Sequence, residues 1–533
     1  MRFIIPSLLA LSLTACYSTQ QSTNPSTDNT IRYLTVLHTN DHHGRFWHNE
    51  DGEYGMAARK TLLDQLRAKA HAQGHSVVLL SGGDINTGVP ESDLQHAEPD
   101  FKGMSRLGYD AMAIGNHEFD NPLDVLDKQI AWANFPLLSA NILHKHNGEH
   151  AYQPYTVIEK QGLKIAIIGL TTVDTVKIAN PEFVGGLDFV DPAPITAQLS
   201  EQIKSQYNPD VTIAVTHMGH YHDASFGINA PGDVTLARNV PEGTLDMIIG
   251  GHSQEPVCID ENGTEDNNFV PGKACKPDQQ NGIWIMQAHE WGKYVGKAVF
   301  KISDGKKTLQ SYELLPVNLK NAQGQWATKY IEHDPELKAF LAPFQKTGES
   351  KISGAVGEVD AFLDGRRSTV RFKQSPLGDL VIKAQMAAVG ADFGFISGGG
   401  IRASIKAGEI SYKDILTVHP FGNRIAYIDW RGEQLLDYLS VVSRFPPDSG
   451  AYLQYHGIEF DLLNGELANV KIQGQRVEPD KTYRMSINSY NAAGGDGYPV
   501  LTDQPGFTAT DSTDAQVLKD YIERHTPIKR SSL

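Results

Sequence analysis

Short apolar runs recur along the first half of the chain, and most of them end in a polar, glycine-rich turn. They cover residues 33–37, 76–80, 111–114, 211–215 and 247–249. The runs have strand length and are rich in Val, Ile and Leu, while segments with helical character lie between some of them, at 57–70 and 194–206. This alternation predicts an α/β domain in which sheets are layered with helices.

Each of these runs is followed by at least one potential metal ligand. The candidate ligands are Asp41, His43, Asp84, Asn116, His217, His252 and Gln254. Because ligands bind at the carboxyl ends of the strands in open α/β sheets, these turns predict one shared site rather than a series of unrelated polar caps. Asp41 and His43 stand two positions apart, so in an extended segment both side chains would point to the same side and could hold one ion.

The chemical mixture of these ligands indicates the kind of metal. Carboxylate, amide oxygen and imidazole groups without a thiolate suit hard or borderline divalent ions. The set is larger than one tetrahedral zinc ion needs, so it predicts two ions that share a carboxylate. We expect Zn, Mn, Co or Mg as the cofactor.

The chain of 533 residues is longer than one hydrophobic core usually supports, so at least two domains are expected. A polar, helix-like segment at 333–349 is followed by a second pattern of strands and helices. We therefore expect a first domain at 31–335, a connecting helix or hinge at 336–355 and a second domain at 356–533.

Glycine-rich and arginine-rich stretches of the second domain carry candidate substrate contacts. These contacts are Arg367, Arg371, Arg402, Phe421, Asn423, Tyr490 and Asp496. An aromatic residue beside a glycine-rich turn is often a packing residue. Two such turns together with arginines favour a nucleotide pocket, because aromatic rings stack on bases and the guanidinium fork binds phosphate.

The formal net charge of −16 bears on possible ligands. It argues against binding of a nucleic-acid polymer, which requires a basic surface. It would also repel a small anionic substrate, unless metal ions or clustered arginines make the site itself positive.

The N-terminus has the pattern of an export signal. Arg2 is followed by an apolar stretch at 3–13 that is too short to span a bilayer. The sequence ending in Cys16 resembles a bacterial lipoprotein signal, so we expect a signal peptide at 1–15, lipidation of Cys16 and a flexible tether at 16–30. The alternative is a simple signal with an incidental cysteine. Tyr17 after Cys16 favours an outer-membrane destination in a Gram-negative source.

The remaining two cysteines, Cys258 and Cys275, flank a segment rich in Asp, Glu, Asn, Gly and Pro. In an exported protein disulfides persist, so we expect these two residues to form a bridge that closes a surface loop. Metal ligation is the alternative, but no further cysteine lies nearby to complete a thiolate site.

The order of the candidate motifs resembles that of the calcineurin-like metallophosphoesterases. The motifs are Asp41-x-His43, Gly83-Asp84, Gly115-Asn116-His117-Glu118, His217 and Gly251-His252-Ser253-Gln254. Gln254, where many members have His, points to the 5'-nucleotidase family and especially to the bacterial periplasmic 5'-nucleotidase/UDP-sugar hydrolases. The resemblance runs from about residue 31 to near the C-terminus. It implies an α/β chain with a layered metallophosphoesterase domain and a separate α+β nucleotide-recognition domain.

The resemblance also implies roles for the residues of the first domain. One ion would be held by Asp41, His43, Asp84 and Gln254, and the second by Asp84, Asn116, His217 and His252. His117 would stabilise the transition state or assist the leaving oxygen, and Asp120 would orient it. The implied chemistry is attack by a metal-bound hydroxide on the phosphorus, without a phosphoenzyme.

In the second domain the resemblance implies that Phe421 and Tyr490 sandwich the base, although Tyr490 stands where related enzymes usually have Phe. Asp496 would bind the ribose hydroxyls and Asn423 the base. Arg367, Arg371 and Arg402 would bind phosphate. The family also implies a large rotation of the two domains about the connector.

We therefore expect a membrane-tethered, exported, monomeric 5'-nucleotidase that hydrolyses nucleoside 5'-phosphates. The same in-line attack would also act on the pyrophosphates of UDP-sugars, ATP and ADP. One alternative is a 2',3'-cyclic nucleotide phosphodiesterase/3'-nucleotidase of the same superfamily. An alternative of another class is a nucleotide-binding surface lipoprotein without catalysis.

Overall fold

The computed structural model describes residues 31–222, 231–260, 263–266 and 269–533. The first domain contains strands β1 (Arg32–Thr39), β2 (Ser76–Ser81), β3 (Ala111–Ala113), β4 (Leu137–Leu138), β5 (Ile142–His144), β6 (Tyr155–Lys160), β7 (Leu163–Thr171), β8 (Leu187–Phe189), β9 (Val211–His217), β10 (Met247–Ile249), β11 (Asp278–Gln280), β12 (Ile283–Met286), β13 (Tyr294–Ser303) and β14 (Lys306–Pro316). Its helices are α1 (Met56–Ala72), α2 (Pro90–Asp93), α3 (Glu98–Leu107), α4 (Leu123–Trp132), α5 (Thr175–Ile178), α6 (Pro181–Val184), α7 (Pro192–Tyr207) and α8 (Asp233–Asn239).

Two six-stranded sheets form the centre of this domain. Their strand orders are β14-β13-β1-β2-β3-β4 and β11-β12-β10-β9-β7-β6. Val36, Leu80 and Val215 belong to the apolar layer between the sheets. Leu63 of α1 and Phe101 of α3 cover the outer face of the first sheet, whereas α7 and α8 cover the second. Strands covered on both faces must be apolar on both, which is why β2 and β9 read as continuous apolar runs. The predicted layered α/β fold is confirmed.

The parallel strands β1, β2 and β3 of the first sheet and β9 and β10 of the second end at the same edge of the sandwich. One expectation about this edge is wrong. Strand β1 ends at Thr39, and Asp41 and His43 both adopt left-handed backbone conformations, with φ of 50° and 51°. They therefore approach each other through a tight turn and not as neighbours on one side of an extended segment.

Helix α9 (Pro335–Ile352) connects the two domains. Asp334 caps its N-terminus, because its carboxylate accepts the amide N–H of Leu337. Pro335 occupies the first helical position, where no N–H is needed. Leu337 and Leu341 are buried in the core of the first domain. Most of the connector is thus attached to the first domain, and the chain enters the second domain directly after it.

The second domain contains strands β15 (Ala355–Val359), β16 (Phe393–Ser397), β17 (Gly408–Ser411), β18 (Arg424–Arg431), β19 (Leu453–His456), β20 (Ile458–Leu463), β21 (Glu466–Ile472), β22 (Gln475–Arg476), β23 (Thr482–Asn488) and β24 (Phe507–Thr513). Its helices are α10 (Arg367–Val370), α11 (Pro376–Val389), α12 (Tyr412–Val418), α13 (Gly432–Val442), α14 (Ser489–Ala492) and α15 (Asp514–His525). The main sheet has the order β19-β16-β23-β18-β24, and only the β16–β23 pair is parallel. Helices α11 and α15 pack on one face and α13 on the other, as expected for an α+β domain.

Cys258 and Cys275 form a disulfide, as predicted from the sequence. Cys258 is buried in the inter-sheet core, so the bridge fastens the loop before β11 to that core. Within the described part of the chain, no helix is both long and apolar enough to cross a membrane. The predicted signal peptide, tether and lipidated Cys16 lie outside the described residues.

Candidate active site

Asp84 lies at the centre of the polar side chains that follow the strands. Its Oδ2 is 2.8 Å from Nε2 of His217 and 3.9 Å from Nε2 of His43. Nitrogen and oxygen atoms of His43, Asp84 and His117, and separately of Asp84, His217 and His252, lie within 4.8 Å of one another. Asp84 is thus shared by two potential metal-binding groups, which is the arrangement that a bridging carboxylate requires.

Two of the histidines are oriented by backbone carbonyl groups. Nδ1 of His43 donates to the carbonyl oxygens of Asn86 at 3.0 Å and Thr87 at 2.8 Å. Nδ1 of His217 donates to the carbonyl oxygen of Gly82 at 2.7 Å. These bonds place a proton on Nδ1 of each ring, so that Nε2 is the nitrogen that faces Asp84 and could bind a metal ion.

Several of these atoms have no partner that would explain their burial. Among the described residues, Oδ1 of the buried Asn116 has no hydrogen-bond partner, and Nε2 of His217 has none beyond its 2.8 Å contact with the Asp84 carboxylate. Nε2 of Gln254 lies 2.8 Å from Nε2 of His43, and a 180° turn of the amide would place its oxygen there instead. Buried polar atoms are normally satisfied. The residues therefore fit a pair of divalent ions.

The turns that carry these residues have unusual backbone conformations. Asp41, His43, Asp84, His252 and Gln254 all have positive φ, between 50° and 82°. Such conformations cost of the order of 1–3 kcal/mol each and concentrate at functional sites. Gly115 allows the turns to approach, because a Cβ atom at this position would lie 2.1 Å from Oδ1 of Asp84.

Glu118 links the turn that carries Asp84 to the turn that carries Asn116. Its buried carboxylate accepts the amide N–H groups of Ile85 at 2.8 Å and of Gly115 at 2.7 Å, with longer bonds to Asp84 and Asn86. The sequence contains Glu118 within the Gly-Asn-His-Glu motif, but only the fold shows that it holds the Asp84 turn against the Asn116 turn.

The site combines a charged centre with neutral imidazoles. Burial lowers the pKa of His43 and of His252 to about 3, which keeps both rings neutral. Burial opposes ionisation of Asp84, but His217 and His117 outweigh it and hold its pKa well below the usual range. Asp84 is therefore a carboxylate, and the two neutral imidazoles can act as ligands beside it.

His117 and Asp120 form a hydrogen-bonded pair beside this centre. Nδ1 of His117 donates to Oδ2 of Asp120 at 2.6 Å. Burial lowers the pKa of His117, but the neighbouring carboxylates of Asp120 and Asp84 raise it to about 8. The hydroxyl of Thr87 also donates to Oδ2 of Asp120, at 2.6 Å, so the carboxylate is fixed from two sides. Thr87 is a further residue whose contact the sequence did not reveal.

A cavity of about 830 Å³ connects this centre with the second domain. All seven residues expected to contact substrate line it: Arg367, Arg371, Arg402, Phe421, Asn423, Tyr490 and Asp496. The ring of Phe421 lies parallel to the imidazole of His117, and the guanidinium carbon of Arg402 lies 5.5 Å from the centre of the Phe421 ring. The two domains therefore meet around one cavity.

The arginines give this cavity the positive charge that the acidic chain as a whole lacks. Burial together with Arg367 and Arg402 lowers the pKa of Arg371 to about 9, which still leaves it charged at neutral pH. Arg367 lies 3.4 Å from Asp448.

The hydroxyl of Tyr490 accepts the amide N–H of Asp496 at 3.1 Å and donates to the carbonyl of Lys177 in the first domain at 3.3 Å.

The comparison with family models defines the class of protein. Residues 34–256 match the calcineurin-like phosphoesterase family, and residues 355–503 match the 5'-nucleotidase C-terminal domain. The chain is a two-domain metallophosphoesterase of this class.

Curated relatives define the family more closely. The chain is 54% identical to a 5'-nucleotidase of Vibrio cholerae, over 99% of this chain and 96% of that protein, and 51% identical to protein UshA of Escherichia coli K12, over 98% and 96%. The crystal structure of a 5'-nucleotidase precursor from Thermus thermophilus superposes with a TM-score of 0.74 at 27% identity, covering 92% of this chain and 96% of that one. The chain belongs to the 5'-nucleotidase family.

Proposed function

We propose that this protein hydrolyses nucleoside 5'-monophosphates to nucleoside and phosphate, with a dimetal centre in the first domain and base recognition in the second. One observation carries the proposal: His43, a proposed metal ligand beside Asp84, and the aromatic ring of Phe421, from the other domain, line the same cavity, and both rings neighbour that of His117. A nucleotide that spans this distance would place its base on one domain and its phosphate on the other.

The proposed roles are metal binding, phosphate binding and recognition of the nucleoside. Asp41, His43, Asp84 and Gln254 would hold one ion, and Asp84, Asn116, His217 and His252 the other. When bound, the ions would supply Lewis-acid charge that binds phosphoryl oxygens and acidifies a water molecule. Arg367, Arg371 and Arg402 would bind the phosphate. Phe421 and Tyr490 would stack on the base, with Asn423 beside it and Asp496 on the ribose.

His117 would act on the leaving oxygen. Asp120 and Thr87 fix its Nδ1 side, which leaves Nε2 for the substrate. A protonated His117 can stabilise the charge that develops on the 5'-oxygen and can donate a proton to it as the bond to phosphorus breaks. The phosphorus is attacked directly by water, so no phosphoenzyme forms.

A substrate panel tests this proposal. Phosphate release from 5'-AMP, 3'-AMP and 2',3'-cyclic AMP is measured with purified protein in the presence of Zn, Mn, Co or Mg. Hydrolysis of 5'-AMP with little turnover of the other two supports the proposal. Preference for 3'-AMP or the cyclic nucleotide would instead identify a phosphodiesterase/3'-nucleotidase of the same superfamily.

We further propose export of the protein and attachment to a membrane, with the outer membrane as the destination, through lipid on Cys16. The Cys258–Cys275 disulfide supports export, because such bridges persist in oxidising compartments. Labelling with radioactive palmitate in the native host tests the attachment. Label should appear in the wild-type protein and be absent from Cys16→Ser, and equal labelling of both would overturn it.

A further inference from the structure

A further group of potential metal ligands lies in the first domain, outside the cavity between the domains. Donor atoms of His220, His222 and Glu265 lie within 4.8 Å of one another. Nδ1 of His220 is 2.5 Å from Oε1 of Glu265, and Nε2 of His222 is 3.7 Å from the same oxygen. None of these three residues lines the cavity. Hydrolysis of a nucleotide therefore gives them no role.

Asp278 orients the ring of His220. Nε2 of His220 donates to Oδ2 of Asp278 at 3.0 Å. The carboxylate of Asp278 also accepts from the amide N–H of Gln279 at 2.7 Å and from Nε2 of Gln280 at 3.0 Å, so it is fixed in turn. A histidine that binds a metal ion usually gives its other ring N–H to a carboxylate in this way. The bond to Asp278 therefore makes Nδ1 the nitrogen that points at Glu265.

Two different segments bring these side chains together, and both are held by backbone contacts. The carbonyl oxygen of His222, in the segment that follows β9, accepts from Nη1 of Arg238 on α8 at 2.9 Å. Glu265 pairs with Ile259 in an isolated β-bridge, inside the loop that the disulfide closes. The fold therefore fixes the positions from which the two exposed side chains can reach a common ligand.

We propose that His220, His222 and Glu265 bind a zinc ion, which joins the segment after β9 to the loop closed by the disulfide. Nδ1 of His220, Nε2 of His222 and a carboxylate oxygen of Glu265 supply three ligands, and a water molecule supplies the fourth. Two imidazoles favour zinc over magnesium and calcium, which prefer oxygen ligands. The role of this ion is to stabilise the first domain, and it is separate from the proposed dimetal centre.

Zinc binding requires a small movement and the loss of one proton. Zinc lies about 2.0–2.2 Å from each nitrogen or oxygen ligand, so two ligands of a tetrahedral ion are roughly 3.3 Å apart. The 2.5 Å between His220 and Glu265 is shorter, because a proton lies between them in the metal-free protein. The ion displaces this proton to the solvent, and the carboxylate moves outward. Glu265 and His222 are both exposed, so their side chains can adjust as zinc enters.

The zinc content of the purified protein tests this site. Wild-type protein and variants are dialysed against micromolar free zinc at about pH 8, and the bound zinc per chain is measured by mass spectrometry. His222→Ala and Glu265→Gln should each bind one zinc ion fewer than the wild type, since each lacks a ligand while the proposed dimetal centre is unchanged. His71→Ala, which removes an exposed histidine of α1, should bind as much zinc as the wild type.

Thermal unfolding gives an independent measurement. An ion that binds only the folded state raises Tm, so zinc should raise Tm of the wild type by about 2–5 °C more than it raises Tm of His222→Ala. The difference between the two increases removes the contribution of the proposed dimetal centre, which both proteins share. Magnesium should raise Tm of both proteins by the same amount, since it binds poorly to imidazole.

Equal zinc content in the wild type and in both variants of the site would overturn the proposal, because the cluster would then be only a protonated histidine between two carboxylates. Loss of the same ion in His71→Ala would show that surface histidines hold zinc unspecifically, and would overturn it as well. Circular dichroism spectra that match the wild type establish that the variants are folded. A protein that binds this zinc ion without hydrolysing AMP would refute the nucleotidase function and leave the zinc site intact.

Discussion

Phe421 lies parallel to His117 across the boundary between the domains, with ring centres 6.0 Å apart and an angle of 8° between the planes. The aromatic residue that we assign to base recognition thus faces the histidine that we assign to the leaving oxygen. Glu91 and Lys413 also meet across this boundary, with 2.7 Å between the carboxylate and the ammonium group. Correct closure of the domains therefore determines where a bound nucleotide presents its phosphate.

Substitution of Phe421 should separate substrates that carry a base from those that do not. Phe421→Ala should raise KM for AMP about tenfold or more, since stacking on a base contributes about 1–3 kcal/mol. KM for p-nitrophenyl phosphate should change much less. Phe362→Ala, an exposed phenylalanine of the same domain, is the control for a general loss of packing. Equal increases for both substrates would refute the stacking role.

Asp84 is the carboxylate that both proposed metal groups share. Asp84→Ala should lower kcat for AMP by roughly a thousandfold or more, because the charge that organises the transition state is lost. The metal content, measured by mass spectrometry, should fall with it. Asp124→Ala, at an exposed ion pair on α4, should leave both kcat and the metal content unchanged. A folded Asp84→Ala protein with near-normal turnover would exclude Asp84 as the bridging ligand.

Thr87 should affect the rate and not the affinity. Thr87→Val removes the hydroxyl that fixes Asp120 but keeps the shape of the side chain. We expect kcat to fall about fivefold to tenfold, as for the loss of one hydrogen bond to a charged group, with little change in KM for AMP. Asp120→Asn should lower kcat further, by about 10²-fold or more. Thr196→Val, which removes a buried hydroxyl within α7, should leave kcat unchanged. A change in KM alone would contradict a role through Asp120.

His220 should make the stability of the first domain pH-dependent. Burial opposes its charge, but hydrogen bonds to Asp278 and Glu265 raise its pKa to about 9. His222 and Asp233 are further titratable groups near it. The folded protein therefore binds a proton more tightly than the unfolded chain, whose His titrates near 6.5. The stabilisation is complete below about pH 6.5 and disappears as the pH rises through 9.

His220→Gln should consequently lower Tm by about 2–4 °C at pH 6 and by much less at pH 9.5. His146→Gln, at an exposed position, is the matched control. A Tm difference that stays constant from pH 6 to 9.5 would show that the charge of His220 does not stabilise the fold.

The fold, and the convergence of the candidate residues at one edge of the sheets, could be predicted from the sequence because both depend on local patterns. Apolar runs followed by ligand-type residues showed where strands end, and the strand ends converge as expected for parallel pairs. The backbone of Asp41 and His43 was predicted wrongly, because a left-handed turn leaves no mark in the polarity pattern when its residues are not glycine.

Contacts between distant segments could not be predicted. Glu118 and Thr87 bond to residues that lie 32–34 positions away in the sequence, on other turns. Nothing in the local sequence of these residues distinguishes them from other polar positions in turns.

The central claim is that the clustered ligands form a metal centre that hydrolyses nucleotides. The most direct measurement follows AMP turnover together with metal content while ions are removed by a chelator and then restored. We predict that turnover disappears in the metal-free protein and returns as two ions per chain bind again. Turnover that persists in protein stripped of metal, or protein that rebinds metal and AMP without releasing phosphate, would contradict the account.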